Sequence, residues 1–409
     1  MKQLFILIAF LCTLLSVGCK KNQETPAVDF NLKKFNLSTD YPFITKDNGF
    51  IAVDYLARKF SKFDLNGNLL WEKRNAFNKK ADTLYSIEYL NIGFTSSTEY
   101  TSLWEIVFDS IKVISGEYKY YYHFELNKFD NNGATILKKK FSFNLPHYQP
   151  TDFGITELSN GDYILSINTL AVNPSLFLFN ISSQGTLNWN KSFIGDFGGT
   201  SMLYSDKDSI FYSIQSIANN NDSIRIIKYG ASGNKLLYKS FSAIFNLIDN
   251  GSIIGSNKLK TEDINSIITL DDGSLILTGN IWIQNKRTWF VCKLDNQLDY
   301  KKYILGKLAV TDAYIYVGSP CILNNGNLFL VGNTKLSNLN ASNRFISAVV
   351  NINTFEQETF SYNDELKNYA GLACFRNSDG TISVFGNSIF LESLHTFYFK
   401  LNSDGSLFK

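Results

Sequence analysis

Asp272-Gly273-Ser274-Leu275-Ile276-Leu277-Thr278-Gly279-Asn280 recurs twice without gaps. The copies are Asn325-Gly326-Asn327-Leu328-Phe329-Leu330-Val331-Gly332-Asn333 and Asp379-Gly380-Thr381-Ile382-Ser383-Val384-Phe385-Gly386-Asn387. Each opens on Asn-Gly or Asp-Gly, a dipeptide that accepts the positive φ of a tight hairpin turn. An alternating strand follows, with Leu275 and Leu277, Leu328 and Leu330, or Ile382 and Val384 on one side. Weaker copies stand at Asn48-Gly49 and Asn160-Gly161. From Gly273 to Gly326 is 53 residues, from Gly326 to Gly380 is 54, and Gly49, Gly161 and Gly273 stand 112 apart. Each interval of 112 is two steps of 56. Two skipped copies therefore belong near residues 105 and 217, where 103–108 and 209–214 are strand-rich.

A second turn follows each first one. It reads Lys62-Phe63-Asp64-Leu65-Asn66-Gly67, Lys128-Phe129-Asp130-Asn131-Asn132-Gly133, Lys228-Tyr229-Gly230-Ala231-Ser232-Gly233 and Lys400-Leu401-Asn402-Ser403-Asp404-Gly405. Looser forms are Phe179-Asn180 to Gly185 and Lys293-Leu294-Asp295. Trp71 and Trp189 each stand four residues past the turn glycine, where a large side chain would pack between units. Two hairpins per period make four strands. Four-stranded units repeating at this length are the blades of a β-propeller. The expected fold is all-β, with seven blades between residues 28 and 409. Six or eight stay open, because the second unit is poorly marked and Asn250-Gly251 adds an unassigned hairpin signal. The composition agrees: 34 Phe, 22 Tyr and only 6 Pro in 409 residues, with no long helical periodicity.

The order strand, Lys-x-Asp-x-x-Gly, strand with Trp resembles the quinoprotein-like propeller repeats of bacterial envelope proteins. It is also similar to repeats of Bacteroidetes-type lipoproteins. The resemblance covers nearly the whole exported chain. It implies an architecture and no activity, since one fold hosts many functions. It implies no quinone and no other cofactor here: neither a vicinal Cys pair nor a set of cofactor contacts accompanies it.

The N-terminus predicts an address. Lys2 precedes an almost unbroken apolar run over residues 4–17, which is 14 residues long. About 20 are needed to span the hydrocarbon core, so the run fits the h-region of a signal peptide. It ends in Ser16-Val17-Gly18-Cys19, which resembles the lipobox of bacterial lipoproteins, where the Cys thiol carries a diacylglycerol. Ser16 stands where that family usually has Leu. A plain secretory signal cut nearby is the alternative. The expected division is a signal peptide over 1–18, a lipidated tether over 19–30 and the propeller over 31–409. Lys20 in place of an Asp favours the outer membrane by the same resemblance, with periplasmic or surface exposure left open.

Charge excludes one class of partner. Without Lys2 the chain carries 38 basic and 37 acidic side chains. Nucleic-acid binding needs a strongly basic face, so none is expected. Cys292, Cys321 and Cys374 match no disulfide framework or metal motif and read as small buried hydrophobes. Cys321 and Cys374 occupy matching places in adjacent repeats. His123, His147 and His395 show no metal-ligand spacing such as HExxH. No GxSxG, P-loop or GxGxxG is present. Asp-x-Asn-Gly at residues 64–67 and Asp-x-x-Gly at 130–133 resemble the start of a calcium loop, but the closing Glu at the twelfth position is missing: Ala76 stands there. Trp104, Trp282 and Trp289 lie outside the repeated Trp position and are the candidates for stacking on a sugar. The alternative is packing between sheets. The leading expectation is a membrane-anchored binding or scaffold module, whose partner is an envelope protein or a glycan. A propeller hydrolase or lyase acting on glycans is the alternative, because carboxylates from different blades can converge.

Overall fold

The computed structural model describes residues 33–35, 43–45, 49–54, 59–64, 67–74, 92–96, 100–112, 118–142, 149–170, 175–194, 197–205, 210–217, 220–241, 244–249, 252–258, 264–283, 286–306, 312–336, 344–367, 369–377, 379–390 and 393–406. The leader, Cys19 and the tether lie outside these residues, and so does His147. The described chain is all strand, turn and irregular segments.

The strands form successive antiparallel meanders. β1 (Lys33–Phe35) stands apart from its sequence neighbours. The first meander is β2 (Phe43–Thr45), β3 (Gly49–Asp54), β4 (Lys59–Phe63) and β5 (Leu69–Arg74). The second is β6 (Ile92–Ser96), β7 (Tyr100–Lys112), β8 (Tyr118–Asp130) and β9 (Thr135–Ser142). The third is β10 (Gln149–Glu157), β11 (Tyr163–Leu170), β12 (Ser175–Ile181) and β13 (Leu187–Ile194). The fourth is β14 (Phe197–Ser205), β15 (Phe211–Ile217), β16 (Asn220–Tyr229) and β17 (Lys235–Phe241). A separate hairpin, β18 (Ile244–Asp249) with β19 (Ser252–Lys258), follows, which accounts for the extra signal at Asn250-Gly251.

Next come β20 (Ile264–Thr269), β21 (Leu275–Ile283), β22 (Lys286–Leu294) and β23 (Tyr300–Leu305), then β24 (Asp312–Val317), β25 (Cys321–Ile322), β26 (Leu328–Leu336), β27 (Arg344–Asn351) and β28 (Glu356–Lys367). These two groups share one nine-stranded sheet, joined by a parallel pairing at Arg287 and Tyr314. β24 and β25 both pair with β26. They act as one strand interrupted at Gly318-Ser319-Pro320, as expected where Pro cannot donate to the ladder. The last group is β29 (Tyr369–Arg376), β30 (Ile382–Phe390) and β31 (Ser393–Leu401). Its fourth strand is β1, which pairs antiparallel with β31 from Lys33–Tyr398 to Phe35–Thr396. A three-residue strand carries no repeat signature, so this exchange leaves no mark in the sequence. The weakly marked copies near 105 and 217 are real strands, β7 and β15. Gly49 opens β3, paired with Thr45.

The core is divided among the interfaces between successive meanders. Phe60 and Trp71 of the first meet Phe129 of the second. Phe124 and Leu126 meet Tyr163 and Leu165 of the third. Ile164 and Leu178 meet Phe211 and Tyr229 of the fourth. Tyr212 and Ile226 meet Ile264 and Leu277. Ile276 and Trp289 meet Ile315 and Leu330. Phe329 and Val331 meet Val384 and Phe399. Last meets first where Phe50 lies 4.3 Å from Phe385 and 5.6 Å from Tyr398, ring centre to ring centre. The second strand of a group is thus covered on both faces. Leu275, Ile276 and Leu277 are all fully buried, so the stretch reads as a continuous apolar run rather than a half-exposed strand.

Candidate functional site

Strand direction gives the molecule two ends. In each meander the turns between strands one and two and between strands three and four lie at one end. The hairpins between strands two and three lie at the other, together with the links from one meander to the next. The glycine-bearing turns all belong to the first end.

Those turns share one geometry. In the turn of 158–162, Gly161 N–H donates to Leu158 O at 2.9 Å and Leu158 N–H to Asp162 O at 2.8 Å. The same pair of bonds recurs around Gly67, Gly133, Gly185, Gly233, Gly273, Gly326, Gly380 and Gly405, all with φ between 71° and 85°. Only the glycine takes positive φ. The expected Asx-Gly pair in a two-residue turn is therefore replaced by a wider turn whose glycine forms the bulge. The Asx residue does a different job. Asp272 Oδ1 accepts from Ser274 N–H at 2.9 Å, Asp379 Oδ1 from Thr381 N–H at 2.9 Å and Asp404 Oδ1 from Ser406 N–H at 2.8 Å. Hydroxyl and backbone donors hold these three carboxyls below the usual carboxylate range, led by Ser274, Thr381 and Ser406 respectively. Asp64 and Asp130 likewise accept backbone N–H groups, at 2.8 Å from Asn68 and 2.7 Å from Ala134. These bonds account for the Asx and Gly of the calcium-like pattern.

The second turns also receive a side chain from the preceding meander. A Cβ on Gly133 would stand 2.7 Å from Trp71 Cγ, and one on Gly233 would stand 2.5 Å from the Trp189 ring. A Cβ on Gly405 would collide with Phe329, and one on Gly185 would stand 2.7 Å from Lys139 Cγ. The Trp189 indole N–H also donates to Ala231 O at 3.1 Å. Lysines reach across the same seams. Lys62, fully buried, donates to Asn131 Oδ1 at 3.1 Å, and Lys128 donates to Ser183 O at 2.5 Å. Burial pulls the Lys128 ammonium down from its ordinary pKa, and Glu157 partly restores it. Four further lysines, Lys73, Lys139, Lys191 and Lys239, stand six residues past a turn glycine. Lys191 donates to Asn234 Oδ1 at 2.7 Å, and Lys239 pairs with Asp299. The spacing of six from the turn glycine is the sequence signal for this position, and a surface-strand lysine otherwise looks like a solvated one.

Of the two candidate tryptophans whose side chains are described, the one with an accessible ring lies at the other end. Trp282 is 42% exposed. Ile281 and Ile283 beside it are buried in the seam with the fourth meander, and strand alternation turns Trp282 to the opposite face. Two residues back on that face, Asn280 clamps the next group: its Oδ1 accepts from Val317 N–H at 2.7 Å and its Nδ2 donates to Val317 O at 2.9 Å. Trp282 lies just past this clamp. It is in register with Arg287, whose guanidinium sits 5.9 Å from the ring centre. The result is a flat aromatic surface and a fixed cation on one rigid hairpin. Such a pair can stack on a sugar ring and meet an anionic group.

Trp289 is placed differently. It is fully buried, and a Cβ on Gly306 would collide with its indole. It packs the seam and offers no surface to a ligand. The backbone of Trp104 is paired in β7 opposite Leu126 and Gly93. His123 and His395 are paired in β8 and β31. The side chains of these three lie outside the described residues. Cys292, Cys321 and Cys374 are buried, and burial pushes the Cys292 thiol up to about 12. Among the described residues no three His, Cys, Asp or Glu side chains group as metal ligands.

No protein-family model matches this chain, and no curated protein matches it. Several solved structures are similar. The polysaccharide lyase Uly1 shares 13% identity at a TM-score of 0.46, over 90% of each chain. A streptogramin B lyase shares 12% at 0.43, over 90% of this chain and 97% of its own. The β-propeller domain of the Trilobed protease from Pyrococcus furiosus shares 8% at 0.43, over 77% and 82%. The chain is all-β, built of many antiparallel sheets, and its structural neighbours include propellers.

Proposed function

We propose that this chain is an envelope lipoprotein held to the outer membrane through a lipid on Cys19, with residues 31–409 forming one seven-bladed propeller that binds a glycan. The circular order of the seams, with Phe50 against Phe385 and Tyr398, supports a closed ring. The pairing of β1 with β31 supports it too, and brings the tether in at the edge of the last blade. Only 13 residues then separate Cys19 from Lys33, a reach of at most about 50 Å.

The observation that carries the binding reading is Trp282, exposed beside Arg287 at the end opposite the glycine-bearing turns. Loops on a rigid scaffold are where recognition concentrates. The test has two arms. Palmitate labelling in the native host should mark the wild type and not Cys19→Ala. Glycan-array binding and pull-down from the cell's own membranes should give a ligand that Trp282→Ala loses at least tenfold, with unchanged thermal unfolding. Equal binding by Trp282→Ala sinks the site. Turnover of a bound glycan would favour the hydrolase or lyase reading.

A further inference from the structure

We propose that Cys321 and Cys374 are a disulfide pair that staples two neighbouring meanders of the propeller. Their sulfurs stand 3.5 Å apart, and both side chains are buried in the seam formed with Phe329, Val331 and Val384. The cysteines are 53 residues apart, one repeat, so the bond would join equivalent positions of adjacent units.

The backbone holds the two positions together independently of the thiols. At the Gly318-Ser319-Pro320 interruption the chain leaves β26, and Ser319 forms a parallel bridge with Ala373 of the next group. Cys374 N–H donates to Ser319 O at 3.0 Å. The first strands of the two units are therefore joined one residue from Cys374 and two from Cys321. Closing the sulfurs from 3.5 Å to the bonding distance of about 2.05 Å requires a movement of about 1.5 Å.

The reaction balances with a small disulfide as oxidant. Two S–H bonds break, one Sγ–Sγ bond forms, and two electrons reduce the oxidant's S–S bond. The two protons end on the two thiols released from it. Burial pushes the Cys374 thiol up and keeps an oxidant out of the finished seam. The bond therefore forms while the last units are still assembling, or on local opening. Cys292 is buried on another seam, in the cluster shared with Tyr212 and Leu277, and stays a thiol. Export would supply the oxidising compartment. The test supplies its own oxidant, so this proposal and the export reading fail separately.

The full chain is refolded in oxidised and reduced glutathione, quenched with an alkylating agent under denaturing conditions and digested without reductant. The expected result is one cross-linked pair of peptides carrying Cys321 and Cys374, with Cys292 alkylated. The oxidised protein should unfold roughly 5 °C above the reduced one. Cys374→Ala should remove that difference, and Cys292→Ala should keep it. Alkylation of Cys321 and Cys374 after oxidation, or a link from either to Cys292, overturns the proposal.

Discussion

The first turn at Gly326 and the second turn at Gly133 look alike in sequence and differ in what they touch. Gly326, in a first turn, has φ 83°, and a Cβ there would meet nothing within 4 Å. Gly133, in a second turn, has φ 80°, and a Cβ there would stand 2.7 Å from Trp71. One glycine is required by its dihedral alone. The other is required by its dihedral and is also the socket for the preceding meander. The same dipeptide thus shapes a hairpin in one place and joins two hairpins in the other.

The largest effect should come from closing a socket. Gly133→Ala combines a left-handed strain of about 1–2 kcal/mol with an overpacking cost of about 1–3 kcal/mol. We expect a loss of about 3 kcal/mol in urea unfolding. Gly326→Ala should lose only about 1 kcal/mol, the dihedral part. Equal losses at the two sites would erase the distinction between the turns.

The lysine latches are expected to matter less. Lys191→Ala removes an exposed contact to Asn234 and should cost about 0.5 kcal/mol or less. The Asx residues give a pH signature. Asp272, Asp379 and Asp404 have folded pKa values below the ordinary 3.8. Their contribution is present above that value and lost as pH falls through the lower folded one. Thermal midpoints should therefore drop on acidification below about pH 4, and Asp379→Asn should shallow the drop slightly. An unchanged slope would remove Asp379 from the account.

The comparison also explains what the sequence could disclose. Turn glycines announce themselves because positive φ is a local demand that few other residues meet. Leu298 and Phe355 are the exceptions among the described residues: they take φ 61° and 60° in second turns, so Lys293-Leu294-Asp295 reads only as a looser form and the turn at Asn351 carries no glycine signal. Trp71 and Trp189 were legible as inter-unit anchors, while their sockets were not, since contact between units follows from the fold and leaves no local pattern. β1 was missed for the same reason. Of the three candidate tryptophans, Trp282 and Trp289 are seven residues apart on one hairpin. Their fates differ in packing: Trp289 is buried with Ile315 and Leu330 of the next group, and Trp282 is 42% exposed.

A double-mutant cycle on Trp71 and Gly133 tests the socket most directly. Gly133→Ala should cost about 3 kcal/mol in the wild type and about 1 kcal/mol in the Trp71→Ala background, where the ring is gone and only Cβ remains, giving a coupling of about 2 kcal/mol. Costs that add within about 0.5 kcal/mol would contradict the account and reduce Gly133 to a turn residue like Gly326.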